Sequence, residues 1–522
     1  MASAWRRSLV HDKIQSGVTQ VNHARRTWQN AVVRRTGAGG PSEIPLHLDR
    51  SVETTLPVQL AAGLRDAIDR DTLRGGESVP PTRELARRVG VARGVVVAAY
   101  EQLIAEGYLS AGHGRGTVVN PDLGRSTAPK RPVDETAGRD TATTRLRPPL
   151  APGAPLSDAT MRPAWRAAWR DAASLPLGGS PPDGDARLRH EIAEHLRLMR
   201  GTARSADDVL VTAGAREGLG LVLTALGTTR GHGLVVGVED PGYPSLRGVA
   251  ARHGARIVPL PVDQDGLRTA DLPIGLLDVV IVTPSHQYPA GGSLPLQRRR
   301  ELLEWAGRTG VVIAEDDYDS ELRYSGSPLP ALAALDDPVS GSVVTLGTFS
   351  NTVSPALSAG FLLAPANLRA LLAPIRADLG APVSSVVQVA LAAYLAAGEL
   401  RRNITRVRRR TSARRDDLSE TLAGIDGIRV RPMSGGLNAV LEFTGAPDAG
   451  AERRLVARAA APSPRFPSGL GVAALGDYWQ DHRGAAGAGL VLGTGGPDEE
   501  EFRAAIQQLR TLLDAESRSL DS

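Results

Sequence analysis

Val343-Val-Thr-Leu-Gly-Thr-Phe-Ser-Asn-Thr-Val-Ser-Pro355 begins as a β-branched apolar run and breaks into small polar residues at Gly347. A short run of this kind reads as a strand buried on both faces, and the break marks its C-terminal end. The same grammar occurs four times upstream. Val209-Leu-Val211 is followed by Thr212-Ala-Gly-Ala-Arg216, and Leu234 to Val238 by Glu239-Asp-Pro-Gly-Tyr243. Val279 to Val282 is followed by Thr283-Pro-Ser-His286, and Val311 to Ile313 by Glu315-Asp-Asp-Tyr318. Helical patterns lie between the runs. Strands alternating with helices predict an α/β fold with a mostly parallel sheet over residues 151–516, with a smaller α+β part from about residue 400. Open parallel sheets bind ligands outside the C-terminal ends of their strands, so five polar ends in succession predict a pocket.

Each end carries a chemistry. Gly214 opens a helix, which lets backbone N–H groups approach a phosphate while the helix dipole favours its charge. Tyr243 offers an aromatic face for stacking. Asp316 suits a protonated heteroaromatic nitrogen, and Tyr318 can donate to a phenolate oxygen. Taken singly, Tyr243 and Tyr318 read equally well as core tyrosines, and Asp316 and Asp317 as loop caps.

The rest of the chain sets the frame. Its 522 residues suggest about three units. With 42% apolar and 23% charged residues, it is not a disordered chain. The absence of cysteine excludes disulfides, thiolate metal sites and a cysteine nucleophile, and no metal site is expected. No apolar run approaches the length of a membrane span, and Arg6 and Arg7 have no apolar stretch behind them. A cytoplasmic protein is expected. All but two of the 61 basic residues are arginine, the exceptions being Lys13 and Lys130. Net charge is only +4, so any nucleic-acid surface must be local.

Residues 1–45 form a basic, irregular extension, expected to be disordered; a nucleic-acid-binding arm and a floppy tail both fit. Residues 46–120 are patterned. Leu60, Leu64 and Ile68 recur every four residues as a helix stripe. A second helix fits Thr82 to Val89, between Pro80-Pro81 and Gly90, and a third fits Arg93 to Glu106. Tyr108-Leu-Ser110 and Thr117-Val-Val119 flank the glycine-rich turn Gly112-His-Gly-Arg-Gly116, a hairpin. Three helices and a hairpin outline a winged helix-turn-helix. Arg83, Arg87, Arg88 and Arg93 gather at the turn between the last two helices, and Arg115 sits at the hairpin tip, where arginines reach phosphates and base edges. A solvated helix face explains the same charges equally well. Residues 121–150 hold five prolines and few large apolar residues, a linker.

The stretch from Gly76 to Arg93, then Ala99 to Tyr108 and the Gly-Arg-Gly-Thr wing at 114–117, resembles the GntR winged-helix domain. The resemblance implies binding to a double-stranded DNA operator, with Thr82, Arg83, Arg93 and Gly116 at the DNA surface. Ala92-Arg-Gly-Val95 stands where that family usually has Ser-Arg-Asn-Thr. Residues 163–513 resemble fold type I pyridoxal-phosphate aminotransferases. The most specific pieces are Thr283-Pro-Ser-His-Gln-Tyr-Pro-Ala-Gly291, Ile313-Ala-Glu-Asp-Asp-Tyr-Asp-Ser-Glu321 and Gly347-Thr-Phe-Ser-Asn-Thr-Val-Ser-Pro355. Together the halves resemble the MocR type of transcription regulator, which implies a homodimer and a small-molecule effector. The resemblance implies pyridoxal phosphate in the pocket: Gly214, Ala215, Arg216, Thr348 and Ser350 around its phosphate, Tyr243 on the ring, Asp316 at the ring nitrogen and Tyr318 at the phenolic oxygen.

The pattern breaks where the chemistry would be. The family's Schiff-base lysine follows the serine of Thr-Phe-Ser, and Asn351 stands there. An amide nitrogen forms no imine, and no lysine follows Lys130. The phosphate-binding arginine seven residues on is Ser358, the carboxylate-binding arginine falls at about Val491, and a tyrosine expected near Gly179 is missing. A lost charge-assisted contact of this kind weakens binding about 10-fold to 100-fold. The expectation is therefore a DNA-binding regulator with no catalytic residues, whose large domain dimerises and senses a ligand, with the cofactor at most non-covalent. The alternative is a pyridoxal-phosphate aminotransferase with an accessory DNA-binding domain.

Overall fold

The computed structural model describes residues 29–34, 43–52, 54–112, 116–121, 123, 147–154, 162–176, 178–323, 330–432, 434–444, 449–480, 487–496 and 498–520. The chain divides into two units, Met1–Arg139 and Asp140–Ser522.

In the first unit, β1 (Gln29–Arg34) pairs antiparallel with β2 (Glu43–Leu48). This ladder lies within and just past the 1–45 stretch expected to be disordered. Its anchor is legible afterwards: Leu46 and Leu48, two residues apart on one strand face, are both buried in the unit's core. Helix α1 (Leu56–Asp69) turns Leu60, Leu64 and Ile68 inward. Helix α2 (Thr82–Val89) has the expected bounds; Gly90, at φ 65°, ends it, with Glu84 in its first turn and Arg87 and Arg88 in its last, matching the helix dipole. Helix α3 (Arg93–Ala105) follows, and the Tyr100 hydroxyl donates to the Pro80 carbonyl at 2.7 Å, tying α3 to the chain that enters α2. The hairpin of β3 (Leu109–Gly112) and β4 (Gly116–Val119) is antiparallel. The segment entering α2 joins its edge, with Val79 N donating to Thr117 O at 3.0 Å and Val119 N to Glu77 O at 2.8 Å. Leu60, Leu85, Val96, Leu103, Leu109 and Val119 share one core, so helices and wing are a single packed body. The wing tip and most of the linker lie outside the described residues.

The second unit opens with α4 (Pro163–Ser174) and α5 (Ala186–Arg200). Then strands and helices alternate: β5 (Val209–Thr212), α6 (Ala215–Arg230), β6 (Val235–Asp240), α7 (Pro244–Arg252), β7 (Arg256–Asp263), β8 (Gly266–Leu267), β9 (Val279–Val282), α8 (Leu296–Thr309), β10 (Val312–Asp317), α9 (Leu332–Leu335), β11 (Val343–Thr348) and β12 (Gly360–Leu363). The sheet order is β5-β12-β11-β10-β9-β6-β7-β8. Pairs from β11 through β7 are parallel, and β12 is antiparallel to both neighbours. The short connection from β11 leaves no room for a crossover helix, so the chain doubles back. Alternation along the strands gives each face its own core. Val209, Val211, Val280, Val282 and Ile313 pack on one side, and Leu210, Val279, Ile281, Val312 and Leu346 on the other.

Helices α10 (Ala366–Leu379), α11 (Ser385–Ala396) and α12 (Glu399–Thr421) lead to a smaller subdomain. It contains β13 (Ile428–Val430), β14 (Asn438–Phe443), α13 (Ala449–Ala460), β15 (Ala473–Ala474), β16 (Gly489–Gly493) and α14 (Glu499–Leu520), with sheet order β13-β14-β16-β15. Residues 147–150, expected to close the linker, belong to this body: Leu150 is fully buried in its core. Its backbone is paired on both sides, Leu150 N to Leu470 O at 2.9 Å and Gly493 N to Leu150 O at 2.8 Å. Among the described residues no helix is long and apolar enough to cross a membrane.

Candidate cofactor pocket and nucleic-acid interface

The C-terminal ends of the parallel strands open into a cavity of about 470 Å³. All nine residues expected around a cofactor line it: Gly214, Ala215, Arg216, Tyr243, Asp316, Tyr318, Thr348, Ser350 and Asn351. Arg147, Tyr288, Ser358 and Asn438 line it as well.

One wall is the N-terminus of α6. Gly214 precedes it at φ 100°, a conformation that favours glycine. A Cβ on Gly360 of β12 would sit 2.8 Å from Gly214 Cα and 2.4 Å from Gly347 O. Two strand glycines therefore form a floor against which the Gly214 turn rests. Thr348 and Ser350 stand beside it, the Thr348 hydroxyl donating to Ser350 Oγ at 2.9 Å and accepting from Ser350 N at 3.1 Å. Arg216 is exposed and has no ion-pair partner among the described residues.

Asp316 and Asp317 are separated by strand geometry, since successive residues of β10 face opposite ways. Asp317 pairs with Arg200 of α5 at 3.0 Å, and Arg200 also donates to Ser285 Oγ at 2.7 Å. Asp316 faces the cavity, and its Oδ1 is buried without a hydrogen-bond partner. Burial raises its pKa well above the usual carboxylate range, reinforced by Asp317, Asp319, Glu239 and Glu315. A buried acceptor so placed calls for a donor from a ligand.

Tyr318 lines the cavity with its hydroxyl bonded to the protein. Its hydroxyl donates to the His286 carbonyl at 3.0 Å and lies 3.1 Å from His286 Nδ1, which is also 3.0 Å from Asp319 Oδ2. The hydroxyl is thus engaged by the protein rather than pointing unpaired into the cavity. Burial pushes its pKa up, Asp319 adding to the shift. The Asn351 amide donates to the Tyr318 carbonyl at 2.9 Å. Tyr243 meets Tyr288 edge-on at 5.0 Å, and Tyr288 meets Tyr318 at 5.7 Å and Tyr478 at 5.5 Å. Val491 is buried in this cluster with Tyr288 and Tyr478, so an apolar wall occupies the position where the resemblance places an arginine. Ser358, at φ 45°, lines the cavity in the place of the second expected arginine.

Behind the cavity, Glu239 accepts from Thr283 Oγ1 and, at 3.4 Å, from Gln287 Nε2. Burial pushes its pKa up to about 7 despite these bonds.

Sequence reasoning missed Arg147, Tyr288 and Asn438 as cavity residues. Tyr288 sat within a quoted motif and could have been read with it. Arg147 lay in a proline-rich stretch, and nothing local separates it from a linker residue.

In the first unit, Arg93 and Thr82 come together at the turn between α2 and α3, with Arg93 Nε donating to Thr82 Oγ1 at 3.3 Å. Arg83, Arg87 and Arg93 are exposed, whereas Arg88 is drawn to Glu84 one turn earlier on α2. Gly116 starts the wing strand at φ 74° and is exposed. Arg115 lies outside the described residues.

Residues 56–119 match the family described as bacterial regulatory proteins, gntR family. Over 474 residues the chain is 41% identical to the HTH-type pyridoxine biosynthesis transcriptional regulator PdxR of Corynebacterium glutamicum, covering 90% of this chain and 98% of that one. It is 31% identical to the probable rhizopine catabolism regulatory protein MocR of Rhizobium meliloti, covering 89% and 95%. Among solved structures, Pyrococcus horikoshii kynurenine aminotransferase shares the fold, with a TM-score of 0.61 at 24% identity over 70% of this chain and 90% of that one. A helix-turn-helix unit followed by an aminotransferase fold, with whole-length similarity to such regulators, means that the chain belongs to the GntR-family HTH-type transcriptional regulators of the MocR and PdxR type.

Proposed function

We propose that this chain is a cytoplasmic DNA-binding transcription regulator whose second unit dimerises and binds a pyridoxal-phosphate-type ligand without transamination. The domain division read from the sequence serves this reading, with Leu150 counted in the second unit. Thr82, Arg83, Arg93 and Gly116 are assigned to the operator surface, and Arg115 with them. The orphaned Asp316 carboxylate, the helix N-terminus at Gly214 and the Thr348–Ser350 pair fit pyridoxal phosphate held through its ring nitrogen and phosphate. Bound with a covalent link to a lysine, that group supplies an electron sink. Here the family's lysine position holds Asn351, so the pocket binds and orients only.

The observation that carries the non-catalytic reading is that no lysine follows Lys130 anywhere in the chain. Arginine cannot replace it, because a guanidinium stays protonated and forms no imine. The ligand acts on DNA binding only insofar as it prefers one arrangement of the dimer.

The test is fluorescence anisotropy of the full chain on its own upstream DNA, at fixed salt, with and without pyridoxal phosphate. A shift of the curve supports the sensor. Binding without a shift removes pyridoxal phosphate as effector. Turnover of an amino acid with added cofactor overturns the non-catalytic reading.

A further inference from the structure

Arg147 stands on the cavity wall, within a segment that the sequence reads as linker. The segment is seated tightly. Leu150 is held between Leu470 and Gly493, as described. Side chains are absent where it lies closest: a Cβ on Gly471 would be 2.3 Å from Pro148 Cβ, and one on Gly493 would be 2.1 Å from Ala151 O. Gly153 N donates to Asn438 Oδ1 at 3.2 Å, so the segment is also tied to a cavity residue of β14. Three residues upstream of Leu150, Arg147 is exposed and has no hydrogen-bond or ion-pair partner among the described residues.

The charges around the cavity are unequal. Among the described residues that line it, the cations are Arg147 and Arg216 and the carboxylate is Asp316. Arg216 belongs to the first turn of α6, where the helix N-terminus already favours an anion. Arg147 comes from a different wall. Val491 of β16, where the resemblance places a carboxylate-binding arginine, is fully buried among tyrosines and offers an anion nothing. A ligand with two anionic groups has one seat at α6, and Arg147 is the cation left for the other.

We propose that Arg147 is the specificity-determining residue for a ligand carboxylate, so that the pocket selects pyridoxyl-phosphate compounds that bear an amino-acid carboxylate over those that lack one. This rests on the reading of the cavity as a pyridoxal-phosphate-type site. A planar guanidinium matches a carboxylate in fork geometry.

The experiment is calorimetric titration of the full-length protein with two stable probes. Pyridoxamine phosphate has no carboxylate; N-phosphopyridoxyl-alanine carries one. The unaltered protein binds the second about 10-fold more tightly or better. Arg147→Ala makes the two probes equivalent and leaves the pyridoxamine phosphate affinity unchanged, while Arg147→Lys keeps part of the preference. A preference that survives Arg147→Ala overturns the assignment, as does an equal loss for both probes, which places Arg147 on the phosphate or in the fold. If the unaltered protein binds neither probe, the cavity reading itself fails and this assignment falls with it.

Discussion

The Asn351 side chain donates to the Tyr318 backbone carbonyl at 2.9 Å, bridging the ends of two neighbouring parallel strands, β10 and β11. The amide sits on the cavity wall but is spent on the protein. Asn351→Lys should install an amine there. The variant, incubated with pyridoxal phosphate and borohydride, should gain one covalent adduct in the second unit by mass spectrometry, and the unaltered chain none. An adduct in the unaltered second unit would contradict the non-covalent reading, since that unit has no lysine.

Asp316→Ala should weaken pyridoxal-phosphate binding by about 10-fold or more, the scale of a lost charge-assisted hydrogen bond in a dry site. Titration monitored by cofactor absorbance reads this directly. An unchanged isotherm would mean that the cavity no longer serves the ring nitrogen.

Glu239 gives a pH dependence. Its carboxyl is raised to about 7 in the fold by burial, against an ordinary value near 4.5. The folded state therefore holds the proton more tightly than the unfolded chain, and unfolding releases it. The contribution to stability is complete below about pH 4.5 and is lost as pH rises through about 7, by an amount on the order of 3 kcal/mol. Glu239→Gln should flatten the difference in thermal midpoint between pH 5 and pH 8. Parallel pH profiles for variant and parent would rule the assignment out.

Arg93→Ala should weaken operator binding by about 10-fold, because the exposed guanidinium opens α3 at the turn we assign to the operator surface. Arg170→Ala, an exposed arginine of α4 in the other unit, should leave it unchanged. Anisotropy at fixed salt measures both; equal losses would misplace the reading helix.

The five polar strand ends were legible because a buried strand and its polar terminus leave a sharp mark in the sequence. They predicted which residues would share a cavity, and Gly214, Asp316 and Asn351 do. Three kinds of feature left no such mark. The reversal of β12 depends on the length of a connection rather than on residue type. Asp316 and Asp317 look alike in sequence, and only the alternation of β10 sends one to the cavity and the other to Arg200. The seating of residues 147–150 depends on Leu150 meeting Leu470 and Gly493, more than 300 residues away. Segment β1–β2 was obscured by the surrounding basic, irregular sequence, although Leu46 and Leu48 carry the alternation of a half-buried strand.

Gly360→Ala tests the floor under the pocket. The added methyl would meet two main-chain atoms that have no rotamer with which to yield. A loss of about 1–3 kcal/mol is expected, seen as a lowered unfolding midpoint in urea, together with weaker phosphate affinity. An alanine tolerated without either effect would show that the strands can part at no cost.

That floor of main-chain contacts has an evolutionary corollary. The seat beneath Gly214 is made by backbone from β11 and β12, whereas Asn351 and Ser358, on which the proposed loss of catalysis rests, line the cavity. On that proposal, substitutions at these two positions retire a reaction without touching the seat. Shape and reactivity are therefore inherited through different atoms, and a lineage can shed the second while selection for a binding signal preserves the first.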